Sequence, residues 1–154
     1  DDTGDGCLAQ MVQRYDEQVA SIIGVQQVPA EHTDRYGVVD VTAMEPRLGQ
    51  LRGIVEKPAP SEAPSNLGVV GRYILNGSIF NKLRQTRPGA GGEIQLTDAI
   101  DALMRDEPVL AYEFEGTRYD CGDKLGYLQA TVEYGLKHPD LGPAFRDYLQ
   151  NRHD

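Results

Sequence analysis

The chain has 154 residues, 40% of them hydrophobic and 25% charged, which suits one soluble domain with a real core. A formal net charge of -9 leaves no basic stripe to displace counterions from a nucleic-acid backbone, so nucleic acid is excluded and an anionic ligand must be held by local donors. No apolar run approaches the ~20 residues of a membrane span, and no signal peptide is expected.

In chain order, residues 1–6 carry neither a helical nor a strand pattern and no initiator Met, so the sequence reads as starting inside something longer. Residues 7–19 have helical spacing that places Leu8, Met11, Val12 and Tyr15 on one face, with Asp5 or Gly6 as cap. Residues 21–28 form a short apolar strand stopped by Pro29, and 30–35 are a polar loop. A strand over 36–41 opens on Gly37, where another backbone or a ligand can approach closely. Pro46 and Gly49 turn the chain into a hairpin that returns through 51–55.

Pro58 stops that strand by fixing φ and withholding an N–H, and 58–64, with three prolines, make a surface loop. Residues 67–75 are the next strand, with Gly71 in its middle. A short helix over 78–86 turns Ile79, Phe80 and Leu83 inward, capped by Ser78 or Asn76. The glycine-rich segment 87–92 lacks the lysine and Ser/Thr of a phosphate loop and suits a hinge or helix entry. A helix over 93–104 buries Leu96, Ala99, Ile100 and Leu103, a strand follows over 109–114, and a turn over 119–124 leads to helices over 125–136 and 143–149. Helix and strand alternate as in an α/β fold, within a single domain over 1–154.

Glu56 and Lys57 sit side by side where a strand ends. A carboxylate accepts from two neighbouring hydroxyls and an ammonium is a point charge for a phosphate, which together match a sugar phosphate. An isolated Glu-Lys-Pro is more often a solvated pair before a turn. Asp120 follows a strand and loop, in a turn loosened by Gly122. With Asp1-Asp2 at a second strand end it would suit Mg²⁺, which takes one or two carboxylates plus phosphate oxygens. A helix N-terminal carboxylate is the other reading of Asp120, and Asp123 is the better cap for the helix that follows. His32, His138 and His153 stand apart in polar surroundings and read as surface residues. Cys7 and Cys121 have no metal-ligand spacing and read as free thiols in a reducing compartment, and Asp120 disfavours a Cys121 thiolate.

The strings R-Y-G-V-V (35–39), V-E-K-P (55–58), A-P-S-N-L (63–67), V-G-R-Y-I (70–74), P-G-A-G-G-E-I-Q-L-T-D (88–98) and R-Y-D-C-G-D-K-L-G-Y (118–127) occur in order. Together they resemble the bacterial UTP–glucose-1-phosphate uridylyltransferases, or UDP-glucose pyrophosphorylases, from about Cys7 to the C-terminus. The resemblance implies a Rossmann-like nucleotidyltransferase mixed sheet flanked by helices, and formation of UDP-glucose and pyrophosphate from UTP and glucose 1-phosphate. It further implies that Glu56 holds glucose hydroxyls and Lys57 the sugar phosphate, that Gly37, Val69 and Gly71 bind the substrate, that Asp1 and Asp120 bind Mg²⁺, and that Lys57 and Asp120 are catalytic. A cytoplasmic homo-oligomer of carbohydrate metabolism is implied too. The family's N-terminal half, with its glycine-rich G-x-G-T-R loop, has no counterpart here, so the chain alone is expected to be inactive. The alternatives are a dTTP-dependent thymidylyltransferase, a non-catalytic sugar-nucleotide-binding subunit, and a structural fragment whose exposed core aggregates.

Overall fold

The computed structural model describes residues 5–89 and 92–152. Their contacts group into two compact units, one running to Gly116 and one starting at Thr117.

The first unit contains α1 (Cys7–Gln18), β1 (Ser21–Gln27), a 3-10 helix (Ala30–Arg35), β2 (Gly37–Val41), β3 (Leu48–Glu56), β4 (Leu67–Ile74), α2 (Ile79–Gln85), α3 (Leu96–Met104) and β5 (Val109–Glu113). The five strands form a mixed sheet in the order β1-β4-β2-β3-β5, with β5 returning to β1. β1 and β5 run parallel, from Ser21 opposite Val109 to Val25 opposite Glu113, and the other pairs are antiparallel. The sheet thus closes into a barrel, whereas the sequence pattern implied only a sheet with helices on it. Closure is thinnest where β2 meets β4, which pair only at Val38 and Gly68.

β1 is buried over its first five residues because both faces are covered. On one face Ile22 packs with Met11, Tyr112 and Phe114. On the other, Ile23 and Val25 join Leu51, Ile54, Ile100 and Leu103. At the N-terminal end of β1, Glu107 accepts hydrogen bonds from Asn76 Nδ2 (3.1 Å), Ser78 Oγ (3.1 Å) and Ser21 Oγ (3.4 Å), tying that strand to the entry of α2. A carboxylate with three donors is a strong local tether.

Several elements depart from the sequence expectation. In α1 the buried stripe is Cys7, Met11 and Tyr15, spaced by four, while Leu8 and Val12 are 51% and 45% exposed. One helix lying on a sheet buries a narrow stripe, and those two residues flank it. Phe80 is likewise exposed, while Ile79 and Leu83 of α2 face the core as expected. The segment expected as a loop over 30–35 is the 3-10 helix, held by Thr33 Oγ1 donating to the Ala30 carbonyl at 3.0 Å. α3 starts at Leu96 rather than Glu93, because Gln95 has extended backbone.

The second unit contains α4 (Lys124–Lys137) and α5 (Gly142–Gln150). Asp123 caps α4 by accepting from Gly126 N at 2.9 Å, as its position in the sequence suggests. Leu125, Tyr127, Leu128 and Tyr134 of α4 are all more than half exposed. Among the described residues, no helix is long and apolar enough to cross a membrane.

Candidate active site

β3 runs to Glu56, which pairs with Gly37 at the start of β2. Lys57 N then donates to the Tyr36 carbonyl at 2.9 Å, extending the ladder by one bond. Lys57 itself has φ of 46°, in the left-handed region, and is followed by buried Pro58. An L-residue held there costs about 1–2 kcal/mol and persists where its surroundings enforce it. The consequence is directional. Glu56 is half-buried against the sheet, whereas Lys57 is turned out into solvent. Lys57 has no ion-pair partner among the described residues.

Gly37 is buried, and the space beside it is the centre of the arrangement. A Cβ placed on Gly37 would lie 3.2 Å from Thr97 Cγ2, 3.3 Å from Glu56 Oε2 and 3.7 Å from Val69 Cγ2. Four residues from β2, β3, β4 and α3 therefore meet at one point, so closely that even a methyl on Gly37 would press on its neighbours. Tyr73 belongs to the same neighbourhood: burial pushes its phenol up, and the negative charge of Glu56 pushes it further in the same direction. Thr97 Oγ1 is buried without a hydrogen-bond partner. The cluster offers a carboxylate, a neutral phenol and a hydroxyl beside strand backbone, with an ammonium just beyond the strand end. That set can accept from and donate to vicinal hydroxyls while a cation meets an attached anion.

Gly71 does not join the cluster. Ile23 pairs with Tyr73 and Val25 with Val69, so four positions on β4 oppose two on β1. The extra residues bulge outward around Gly71, whose φ is 70°, and it is exposed with nothing within 4 Å of its Cβ position. Because the bulge adds an even number of residues, Val69 and Tyr73 keep the same face. Tyr73 and Thr97 were not singled out from the sequence. Tyr73 was legible as Val69 plus four in one strand, and Thr97 as a polar residue among the buried positions of α3.

Asp120 belongs to the second unit. Its Oδ1 accepts from Gly122 N at 3.0 Å and its Oδ2 from Arg118 at 3.0 Å. The Gly122 N–H foremost, then the Arg118 guanidinium, hold its carboxyl below the ordinary value of 3.8. A Cβ on Gly126 would lie 2.3 Å from the Asp120 carbonyl oxygen, so the first turn of α4 rests directly on the Asp120 backbone. Asp1, the other carboxylate proposed for a metal, lies outside the described residues. Among those residues no three His, Cys, Asp or Glu gather as a metal cage. A magnesium site of one or two carboxylates completed by phosphate oxygens needs no such cage, and an ionised, partly exposed Asp120 is a fitting hard oxygen donor for it.

The remaining candidates resolve simply. His138 Nδ1 accepts from Asp140 N at 3.2 Å and Leu141 N at 3.3 Å, a turn-forming role, while His153 lies outside the described residues. Cys121 is an exposed free thiol and Cys7 a half-buried one. Elsewhere in the first unit, a groove of about 520 Å³ between α2 and α3 is lined by Lys82, Arg87, Asp98, Arg105 and Asp106. Its charges are mixed, and Lys82 and Arg105 are already paired with Asp106 and Asp101.

Comparison with known proteins follows the same lines. Residues 3–136 match the family described as Nucleotidyl transferase. The UTP–glucose-1-phosphate uridylyltransferase of Haemophilus influenzae is 48% identical over 147 residues, covering 94% of this chain and 50% of that protein. A solved UDP-glucose pyrophosphorylase complexed with UDP-glucose is 38% identical with a TM-score of 0.85, covering 90% of this chain and 52% of that one. The UTP-bound enzyme from Acinetobacter baumannii is 43% identical with a TM-score of 0.84, over 97% and 53% of the two chains. The chain thus spans about half the length of the relatives it matches. With the matched residues extending from the first helix to the end of α4, the chain belongs to the nucleotidyl transferase family.

Proposed function

We propose that this chain provides the sugar-phosphate-binding part of a uridylyltransferase that forms UDP-glucose and pyrophosphate from UTP and glucose 1-phosphate. The observation that carries the reading is the convergence of Glu56, Val69 and Thr97 on Gly37, with Lys57 next along the chain and without an ion pair among the described residues. Its support from relatives is that proteins 46–49% identical over most of this chain carry the uridylyltransferase name.

In this reading Glu56 accepts from hexose hydroxyls. Gly37 contributes its backbone, free of a side chain, and Val69 forms the apolar wall. Lys57 meets the sugar's phosphate. A phosphate oxygen of glucose 1-phosphate attacks the α-phosphorus of UTP in line as pyrophosphate leaves. The nucleophile is already an anion, so no general base and no covalent enzyme intermediate are required. Lys57 lowers the repulsion between two anions brought together, a charge effect realised most fully as the new bond forms. Asp120, with Asp1, would hold Mg²⁺, which when bound neutralises phosphate charge. Cytoplasmic residence, a homo-oligomeric state, a place in carbohydrate metabolism and a single-domain organisation belong to the same proposal.

Calorimetric titration of the chain with glucose 1-phosphate tests it, with inorganic phosphate and glucose as separate probes. Saturable binding of the sugar phosphate that exceeds either part, and that weakens at least 10-fold in Lys57→Met, is the expected outcome, since a charge-assisted contact contributes about 1.5–3 kcal/mol. Equal binding of Lys57→Met and the unaltered chain would overturn it.

A further inference from the structure

Asp120 is held in its turn by main-chain groups alone. Its carbonyl oxygen accepts from Asp123 N at 3.1 Å, and its Oδ1 accepts from Gly122 N at 3.0 Å, which sets the direction of the carboxylate. The neighbouring carboxylate, Asp123, is occupied in capping α4 through Gly126 N. A further bond to Asp120 comes from a charged group: Arg118 donates to its Oδ2 at 3.0 Å. The two side chains are 26% and 45% exposed, and an ion pair so open to water adds little to folding. It does change what the carboxylate can receive. A guanidinium keeps its charge at every working pH, so a cation that lands on Asp120 shares the carboxylate with a fixed positive charge.

We propose that Arg118 is a specificity-determining residue, which makes Asp120 select a divalent cation carrying phosphate over the bare ion. This rests on the reading of Asp120 as a magnesium ligand. An ionised carboxylate offers about four acceptor sites, so the bond to Arg118 leaves room for a metal. Asp120 by itself would take either form, since magnesium needs one or two carboxylates and fills its shell with waters or phosphate oxygens. Arg118 separates the two. Its charge repels an unaccompanied cation on the same carboxylate. A cation complexed with a di- or triphosphate is a net anion, whose oxygens the planar guanidinium attracts. One fixed charge thus acts with opposite sign on the two forms, and metal and nucleotide phosphate are favoured at the site together.

The test is a titration of the isotopically labelled chain with Mn²⁺, a paramagnetic substitute for Mg²⁺, without and with excess pyrophosphate. Broadening of the Cys121, Gly122 and Asp123 amide resonances reports binding at Asp120, for the parent, Arg118→Gln and Arg118→Lys, with urea unfolding of each. Arg118→Gln should bind bare Mn²⁺ about 3- to 10-fold more tightly than the parent, and the Mn²⁺–pyrophosphate complex about 10-fold more weakly. Arg118→Lys keeps the charge and gives up the planar fork, so it should match the parent toward bare Mn²⁺ and lose only part of the affinity for the complex. The lysine variant also gives a charge readout if the glutamine variant folds poorly. Affinities that stay constant, or that move in the same direction for both forms in Arg118→Gln, would make Arg118 a structural partner of Asp120, and the metal reading would stand. A parent in which neither form broadens these resonances would overturn the metal reading and this inference together.

Discussion

Replacing Gly37 by alanine separates the ligand role of this position from its role in the fold. The added methyl would meet Thr97 Cγ2 at 3.2 Å, Glu56 Oε2 at 3.3 Å and Val69 Cγ2 at 3.7 Å. The two tighter neighbours are side-chain atoms that can retreat by a few tenths of an ångström, which puts the overpacking cost near about 1 kcal/mol, the lower end of the usual range. Removing a glycine from a strand gains about 0.5–1 kcal/mol by restricting the unfolded chain. The two nearly cancel, so the urea midpoint should move by less than about 0.5 M. Ligand binding has no such compensation. The methyl occupies the space beside the Glu56 carboxylate, and a sugar hydroxyl pushed back by about 1 Å passes beyond hydrogen-bonding range. Loss of a hydrogen bond to a charged acceptor, about 1.5–3 kcal/mol, corresponds to roughly 10- to 150-fold in affinity. Calorimetry with glucose 1-phosphate and urea unfolding monitored by circular dichroism read the two quantities independently. An alanine variant of unchanged stability and unchanged affinity would refute the placement of the ligand at Gly37.

Four further changes probe other parts of the account. Lys57→Gly should raise stability by about 1 kcal/mol, because φ of 46° suits glycine, yet weaken glucose 1-phosphate binding as Lys57→Met does; urea unfolding and calorimetry report each. Gly126→Ala replaces a helical glycine with the best helix former, a gain of about 1 kcal/mol, but sets a methyl 2.3 Å from the Asp120 backbone carbonyl, so a net loss of about 1–3 kcal/mol is expected. Gly77→Ala, with nothing within 4 Å, is the near-neutral control in the same unfolding experiment. For Asp120 the folded-state carboxyl is held below its ordinary value of 3.8, so its stabilising effect is fully present above that pH and is lost as pH falls through the lower folded value. Urea midpoints of the parent and Asp120→Asn, measured from neutral pH down to pH 2, should therefore differ at neutral pH and converge on acidification.

Local signals in the sequence marked the elements well. Pro29 and Pro58 bound β1 and β3, Pro46 marks the hairpin and Asp123 announces the start of α4, whereas Gly49, expected in the turn, lies inside β3 and pairs with Ala111. The pairing of Gly37 with Glu56 follows from that hairpin, since both positions lie on strands joined by one short turn. Closure of the sheet was not legible. It depends on contacts between distant residues, Val38 with Gly68 and Leu48 with Tyr112, which no local pattern encodes. Thr97 stands out in the sequence as a polar residue among the buried positions of α3, but its meeting with Gly37, two strands and a helix away along the chain, does not. Gly71 lies within β4 as the strand pattern suggests, but its bulge is a property of two strands in register, visible only once β1 lies beside β4. The exposure of Leu8 and Val12 reflects how narrow a stripe the sheet offers to α1, a quantity set by the surface it lands on rather than by the helix.

The most direct measurement is a titration of the isotopically labelled chain with glucose 1-phosphate, following backbone amide resonances. Saturable shifts concentrated at Gly37, Glu56, Lys57, Val69 and Thr97 are the predicted result. Shifts confined to the basic and acidic groove between α2 and α3, at Lys82, Arg87 and Arg105, or spread without saturation, would contradict it.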